Sequence, residues 1–264
     1  MRVAAVVELA WDPASIEVDA VTGTIDLARA ALEPTPGSRE AVELALELGE
    51  ACVYGLGPAG VEDLLRECLA LGAAAAARAP DVEALAAALA VTAFDLVLVP
   101  HRSGDGGVSP VAGALAGWLD LPQATGVESL AVEALEARVV RRLDRGEREE
   151  LAAPLPAIVA VEPGIARPRL ASPAALIAAR SAPVPELPAS VGAAVRPTLL
   201  GHRPPRPAPP RMRAPAGELA AEARIAAVVG TAPASRQREL VTGPPAQVAE
   251  RIVRLLEERG FLRP

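Results

Sequence analysis

The chain has 264 residues, a net charge of −7 and only 2% aromatic residues. Its length allows one large domain or one domain with an appendage, at roughly 100–200 residues per domain. An acidic, ring-poor chain lacks both the basic surface and the stacking side chains of a general nucleic-acid binder, and its charge argues equally against anionic membranes.

Residues 3–9 form a short apolar run with β-branched members, which predicts a buried strand. Glu8 and Asp12 interrupt the run before it reaches the length of an export signal, so a first strand and a cytoplasmic location are expected. Residues 18–27 read as a small excursion. Ser38 is expected to cap a helix through Val42, Leu46 and Leu48, which Gly49 ends. Residues 51–54 predict a second strand. Pro58 is expected to open a helix with Val61, Leu64, Leu65 and Leu69 on one face, stopped at Gly72. Residues 73–77 give a weak third strand, and Asp81 begins a helix through Leu85 and Leu89. The alanine-rich stretch 69–94 is broken by Arg78, Asp81 and Glu83, short of the ~18 uncharged apolar residues that a membrane-spanning helix needs. Residues 95–100 (DLVLVP) predict a strong buried strand, and Ser109 or Pro110 starts a helix through Leu115 and Leu119. Such alternation predicts an α/β, Rossmann-like, mostly parallel sheet with helices on both faces and right-handed crossovers.

The pattern changes after Gly126. Residues 127–132, 137–143 and 147–151 read as short strands, with Asp144-Arg145-Gly146 as a hairpin turn, so antiparallel strands are added to the sheet. Residues 157–161 are another apolar strand. Prolines are dense over 183–215, which predicts an extended arm, and 246–259 is an amphipathic helix with Val248, Ile252, Leu255 and Leu256 on its apolar face. The expected organisation is a nucleotide-binding-type domain over 1–183, a proline-rich arm over 184–245, and a helix over 246–264 that docks on its own domain or on a partner.

Two glycine-containing turns stand out. Gly55-Leu56-Gly57-Pro58-Ala59-Gly60 matches G-x-G-x-x-G between a strand and a helix. Its proline removes a donor N–H and no acidic residue closes a convincing next strand, so it reads as a tight turn lining a site rather than as a dinucleotide fingerprint. Ser103-Gly104-Asp105-Gly106-Gly107 follows the strongest strand, where open α/β sheets bind ligands. Glycines there admit close backbone approach, the next helix N-terminus favours an anion, and His101 and Arg102 add positive charge; a loop without a ligand is the competing reading. Two cysteines, Cys52 and Cys68, and two histidines far apart supply neither a disulfide framework nor a zinc site. With no G-x-S-x-G elbow, no Walker lysine and no His–Cys pair, no catalytic residue is expected, and Glu149-Glu150 and Glu257-Glu258 read as solvated surface.

The segment DLVLVPHRSGDGGVSPVAGALAGWLDLPQATGVESL resembles the β subunit of electron transfer flavoproteins, with Asp95, Asp105, Leu119, Pro122, Gln123 and Thr125 at matching places. The likeness continues through the Leu-Pro-Ala-Ile-Val run at 155–159 and Arg167-Pro168-Arg169-Leu170-Ala171-Ser172, and covers most of residues 2–183. It implies an electron-carrier subunit, not an enzyme by itself. Such a subunit pairs with an α subunit that carries FAD, and passes electrons from a flavin or alcohol dehydrogenase to a membrane or soluble acceptor. It further implies an AMP site, which in bifurcating members holds a second FAD. Carried over by motif, that site falls on Val6, Thr35, Pro36, Gly37, Ser38, Leu56, Pro100, His101, Arg102, Ser103, Gly104, Asp105, Gly106, Gly107, Val108, Ser109, Pro110 and Val111. The partner-holding loop falls on Arg167, Pro168, Arg169, Leu170 and Pro173. Three departures mark a divergent, pathway-dedicated bacterial member. Thr35-Pro36-Gly37 replaces Asn-Pro-aromatic, the Asp-rich turn keeps only Asp105, and Pro110-Val111-Ala112 replaces a polar Gly-containing run. Competing expectations are an adenine-nucleotide hydrolase, for which residues 8–13 lack serines or lysine to cradle phosphate, and a non-redox assembly or sensor protein on the same fold.

Overall fold

The computed structural model describes residues 1–19, 22–57, 60–188, 221, 225 and 243–258. The central strand is β1 (Arg2–Trp11), whose residues 3–7 have no exposed surface. After it come β2 (Glu17–Val18) and β3 (Ile25–Asp26), which pair as a small separate hairpin, and β4 (Leu32–Pro34), which folds back antiparallel on the end of β1. Then follow α1 (Ser38–Leu48), β5 (Glu50–Leu56), α2 (Val61–Leu71), β6 (Ala75–Ala79), α3 (Val82–Val91), β7 (Leu96–Pro100) and α4 (Val111–Leu119). β8 (Gln123–Glu133), β9 (Glu136–Arg142), β10 (Arg148–Pro154), β11 (Ala157–Val161) and the short α5 (Pro173–Ala179) complete the sheet domain. The sheet order is β10-β9-β8-β11-β7-β1-β5-β6, parallel from β6 through β11 to the start of β8, with β9 and β10 antiparallel. The fold is therefore the expected Rossmann-like α/β sheet with added antiparallel strands.

Alternation along β1 builds two cores, because successive side chains of a strand point to opposite faces. Val3, Ala5 and Val7 pack with Ala41 and Val42 of α1 and Leu64 and Leu65 of α2. Ala4 and Val6 pack with Leu85 of α3 and Val111 and Leu115 of α4. The chain moves outward from β1 to β5 and β6, then α3 carries it back to β7 on the other side of β1. The strand order thus reverses between β1 and β7.

Several helix ends differ from expectation. Ser38 does not cap α1: Gly37 holds that place in the left-handed region (φ 95°), and Ser38 is the first helical residue. Its hydroxyl instead accepts from the Glu8 N–H (3.1 Å) and lies 2.9 Å from Thr35 Oγ1. α2 starts at Val61 after Gly60, so the helix opens later than Pro58 suggested; Pro58 and Ala59 lie outside the described residues. Asp81 caps α3 as expected, accepting from Ala84 N–H at 2.7 Å, and Pro110 rather than Ser109 precedes α4.

Residues 184–187, at the start of the expected proline-rich arm, lie along β6. Arg78 N–H donates to Pro185 O (2.8 Å), Leu187 N–H donates to Arg78 O (2.8 Å), and Val184 and Leu187 pack against the two cores. Most of the remaining expected arm lies outside the described residues. The chain divides into two compact units, Met1–Pro204 and Pro205–Pro264. In the second, α6 (Pro245–Glu258) is the expected amphipathic helix, with Ile252, Val253 and Leu255 exposed. Among the described residues, no helix is long and apolar enough to cross a membrane, and no cluster of His, Cys, Asp and Glu is placed to hold a metal ion.

Candidate functional site

The reversal between β1 and β7 marks a switch point, and the space outside their carboxyl ends is the position at which open α/β sheets bind ligands. Two segments close around it. The β4–α1 turn is tied to β1 by Thr35 N–H donating to Glu8 O (2.9 Å) and by the Ser38 hydroxyl beside the Glu8 backbone. Gly37 packs so tightly that a Cβ there would meet Val161 O at 3.0 Å and Pro100 Cα at 3.5 Å. Gly104, in the β7–α4 loop, lies against β1: a Cβ would stand 2.1 Å from Ala10 Cβ, so only glycine fits without moving the loop.

That loop is internally bonded. Ser103 N–H donates to Gly107 O (3.0 Å), Gly106 N–H to Ser103 O (3.0 Å), and Arg102 and Val108 form an isolated bridge. The Asp105 carboxylate accepts the Ser103 hydroxyl and the Gly107 N–H, which hold it below the ordinary aspartate range. His101 is buried, its N–H donating to Val161 O (2.9 Å) and its carbonyl accepting from Ser109 N–H (2.8 Å). Its Nδ1 is buried with no hydrogen-bond partner, and burial lowers its pKa. Arg102 forks onto Glu162 at the end of β11, Nε at 3.0 Å and Nη2 at 2.7 Å.

The residues singled out from sequence separate into layers. Val6, Leu56 and Val111 form the apolar floor in the α3–α4 core. Thr35, Gly37, Ser38, Pro100, His101 and Ser109 are buried in the walls, whereas Pro36, Asp105, Gly106, Gly107, Val108 and Pro110 are exposed at the rim with the half-buried Arg102, Ser103 and Gly104 between. Sequence reasoning missed Glu8, Glu162 and Glu43. Glu8 continues the even-numbered face of β1 that holds Val6, and Ser109 Oγ donates to its Oε1 at 3.0 Å. Burial pushes its carboxyl up to about 7, partly countered by the serine hydroxyl. The available signal was a single charge in phase with a buried strand face.

The segment after β11 is latched to α1. Arg169 donates to Glu43 through Nε (2.9 Å), Nη2 (2.6 Å) and its own backbone N–H (3.0 Å), and Gly164 N–H donates to Glu40 (3.2 Å). The guanidinium holds the Glu43 carboxyl below the usual range, against the opposing effect of burial. Beyond the latch, Arg167 and Pro173 are on the surface, Pro168 is half-buried and Leu170 is 90% exposed.

A doubly wound α/β sheet with a polar crevice at its switch point defines a Rossmann-like protein. The family described as the electron transfer flavoprotein domain matches residues 22–191, and the chain belongs to that family. It is 30% identical over 185 residues to the probable electron transfer flavoprotein subunit beta of Schizosaccharomyces pombe, covering 63% of this chain and 72% of the relative. It is 29% identical over 202 residues to the caffeyl-CoA reductase-Etf complex subunit CarD of Acetobacterium woodii, covering 70% and 77%. It is 27% identical over 162 residues to the electron transfer flavoprotein subunit beta of Thermoanaerobacterium thermosaccharolyticum, covering 55% and 62%.

Proposed function

We propose that this chain is the β subunit of a two-subunit electron carrier. It pairs with an α subunit holding FAD and helps pass electrons from a flavin or alcohol dehydrogenase to a membrane or soluble acceptor, with no turnover of its own. The observation that carries this reading is the family match across residues 22–191, together with relatives named as beta subunits. FAD on the α subunit supplies the redox chemistry; the residues of this chain bind and orient.

Two surfaces support those roles. The 167–173 segment is fixed by the Arg169–Glu43 fork yet presents Leu170, and α5 beyond it buries no residue and exposes Ile177. A large apolar side chain displayed on an anchored segment suits a protein contact. The crevice suits AMP in its backbone, since Gly37 and Gly104 let the chain close on β1, and α4 begins beside it with its Val111 N–H already donating to Ser109 Oγ (3.4 Å). It is built for a nucleoside more than for a phosphate beside Glu8. In this reading the protein is cytoplasmic.

Co-expression with the α subunit of the same source tests the proposal. The purified pair is expected to be yellow, to be bleached by a dehydrogenase and its substrate, and to release FAD and AMP on denaturation, identified by mass spectrometry. A colourless pair that no dehydrogenase reduces sinks it.

A further inference from the structure

We infer that Glu8 is the specificity-determining residue of the switch-point crevice: its carboxylate takes the hydroxyl donors of a ribonucleoside and turns a phosphoryl group away from that end of the site. The inference rests on the nucleotide reading of the crevice and goes beyond it by naming the residue that sets ligand orientation and charge.

β1 is the strand at which the sheet order reverses, and Glu8 stands in register with Leu56 at the carboxyl end of the parallel pairing with β5. Below it on the same face is fully buried Val6, and beside it Val111 begins α4. A charged residue at the end of a buried strand, in phase with the core, has no packing purpose there that leucine would not serve better. One of its oxygens accepts from Ser109 Oγ, and the other has no partner among the described residues. An ionised carboxylate only accepts hydrogen bonds, so the vacant oxygen suits a vicinal sugar diol and repels phosphoryl oxygens.

Among the described residues, the surroundings supply no cation to reverse that preference. The β4–α1 turn brings only hydroxyls, Thr35 and Ser38, and Ser38 is already bonded to the Glu8 backbone. The β7–α4 loop brings Arg102, His101 and Asp105. Arg102 is committed to both oxygens of Glu162, burial disfavours the charged form of His101, and Asp105 is an anion bonded within its own loop. β5 contributes Leu56 alone at this level. A phosphate at this end would therefore meet a carboxylate with no free guanidinium nearby, whereas a ribose would meet an acceptor. Because burial raises the carboxyl to about 7, the acceptor forms only as pH passes that value.

Equilibrium titration of adenosine and of AMP into the complex of this chain with its α subunit, stripped of nucleotide, tests the assignment at pH 6 and pH 8. Adenosine is expected to bind about tenfold more tightly at pH 8, following one ionisation near 7. Glu8→Gln removes that pH dependence and weakens adenosine at pH 8 by about tenfold or more, the loss of a charge-assisted bond. Ser109→Ala keeps the carboxyl, removes the hydroxyl that lowers its pKa, and shifts the midpoint of the adenosine pH profile upward, a change that a purely structural glutamate would not produce. If Glu8→Gln instead tightens AMP and leaves adenosine unchanged, the carboxylate faces the phosphoryl end and the inference falls. If wild type and variant bind both probes alike, Glu8 is structural and the inference falls, with the nucleotide site standing. If the wild-type complex binds neither probe, the nucleotide site falls with it.

Discussion

Two acids flank the first βα unit, Glu43 buried and Glu8 half-buried, and their surroundings drive them in opposite directions. Glu43, in α1, is gripped by Arg169 and held below the ordinary carboxylate range. Glu8, at the end of β1, has only the Ser109 hydroxyl and is pushed up to about 7. Burial opposes ionisation in both, and the difference comes mainly from Arg169, whose guanidinium and backbone N–H both bond Glu43. An acid matched to a cation is a fastener, while an acid buried without one, in a crevice, is a candidate for binding chemistry.

The largest effect is expected from unmaking the fastener. Arg169→Ala strands Glu43, whose side chain is only 5% exposed, without its cation, and should destabilise the sheet domain. The unfolding temperature should fall, and proteolysis should cut sooner near residues 165–180. The sign with pH follows from the lowered Glu43 value: the pair stabilises above the unfolded carboxylate range and is lost as pH falls through the folded value. Wild type and variant should therefore converge in strong acid; a gap that persists there would falsify the role of the pair.

Glu8→Gln should act in the other direction. A raised folded pKa favours the folded state only while the group is protonated, so this acid costs stability increasingly from about pH 4.5 to about 7. The amide should leave stability unchanged near pH 4 and raise it by about 1–3 kcal/mol at pH 8, discounted for partial exposure. Denaturant titrations at the two pH values decide it, and an equal gain at both would remove the ionisation from the account. The smallest effect on folding belongs to Leu170→Ser. With Leu170 90% exposed, stability should stay within about 0.5 kcal/mol, while affinity for whichever partner uses this segment drops by about 1–2 kcal/mol. Unchanged binding of both the α subunit and the dehydrogenase would clear this residue of a partner role.

The two acids also mark where the sequence was readable. The parallel half announced itself: β-branched runs, the stops at Gly49 and Gly72, and the Asp81 cap are local signals with local causes. Residues 157–161 became β11 with the same bounds. The misreadings have distant causes. Ser38 looked like a cap, but the Glu8 N–H, thirty residues earlier, occupies its hydroxyl. Glu8 read only as an interruption of an apolar run, because the Ser109 hydroxyl that bonds it lies 101 residues away. The resemblance pointed to the glycine turns yet passed over Glu8. β6, built largely from alanines without β-branched residues, was displaced by two positions in the sequence reading.

The strip at 184–187 along β6 has a consequence beyond packing. A short alanine-rich edge strand with free N–H and C=O groups is a template on which another chain can add a strand and begin a polymer. Here Pro185 and Leu187 bond to Arg78, and Arg78 is further held by Glu62 and Glu186. The far edge, β10, carries Arg148, Glu149 and Glu150 and ends in Pro154, a row of charges and a missing donor that discourage the same event. Ending the chain before residue 184 would uncover β6 and should promote self-association through that sheet edge.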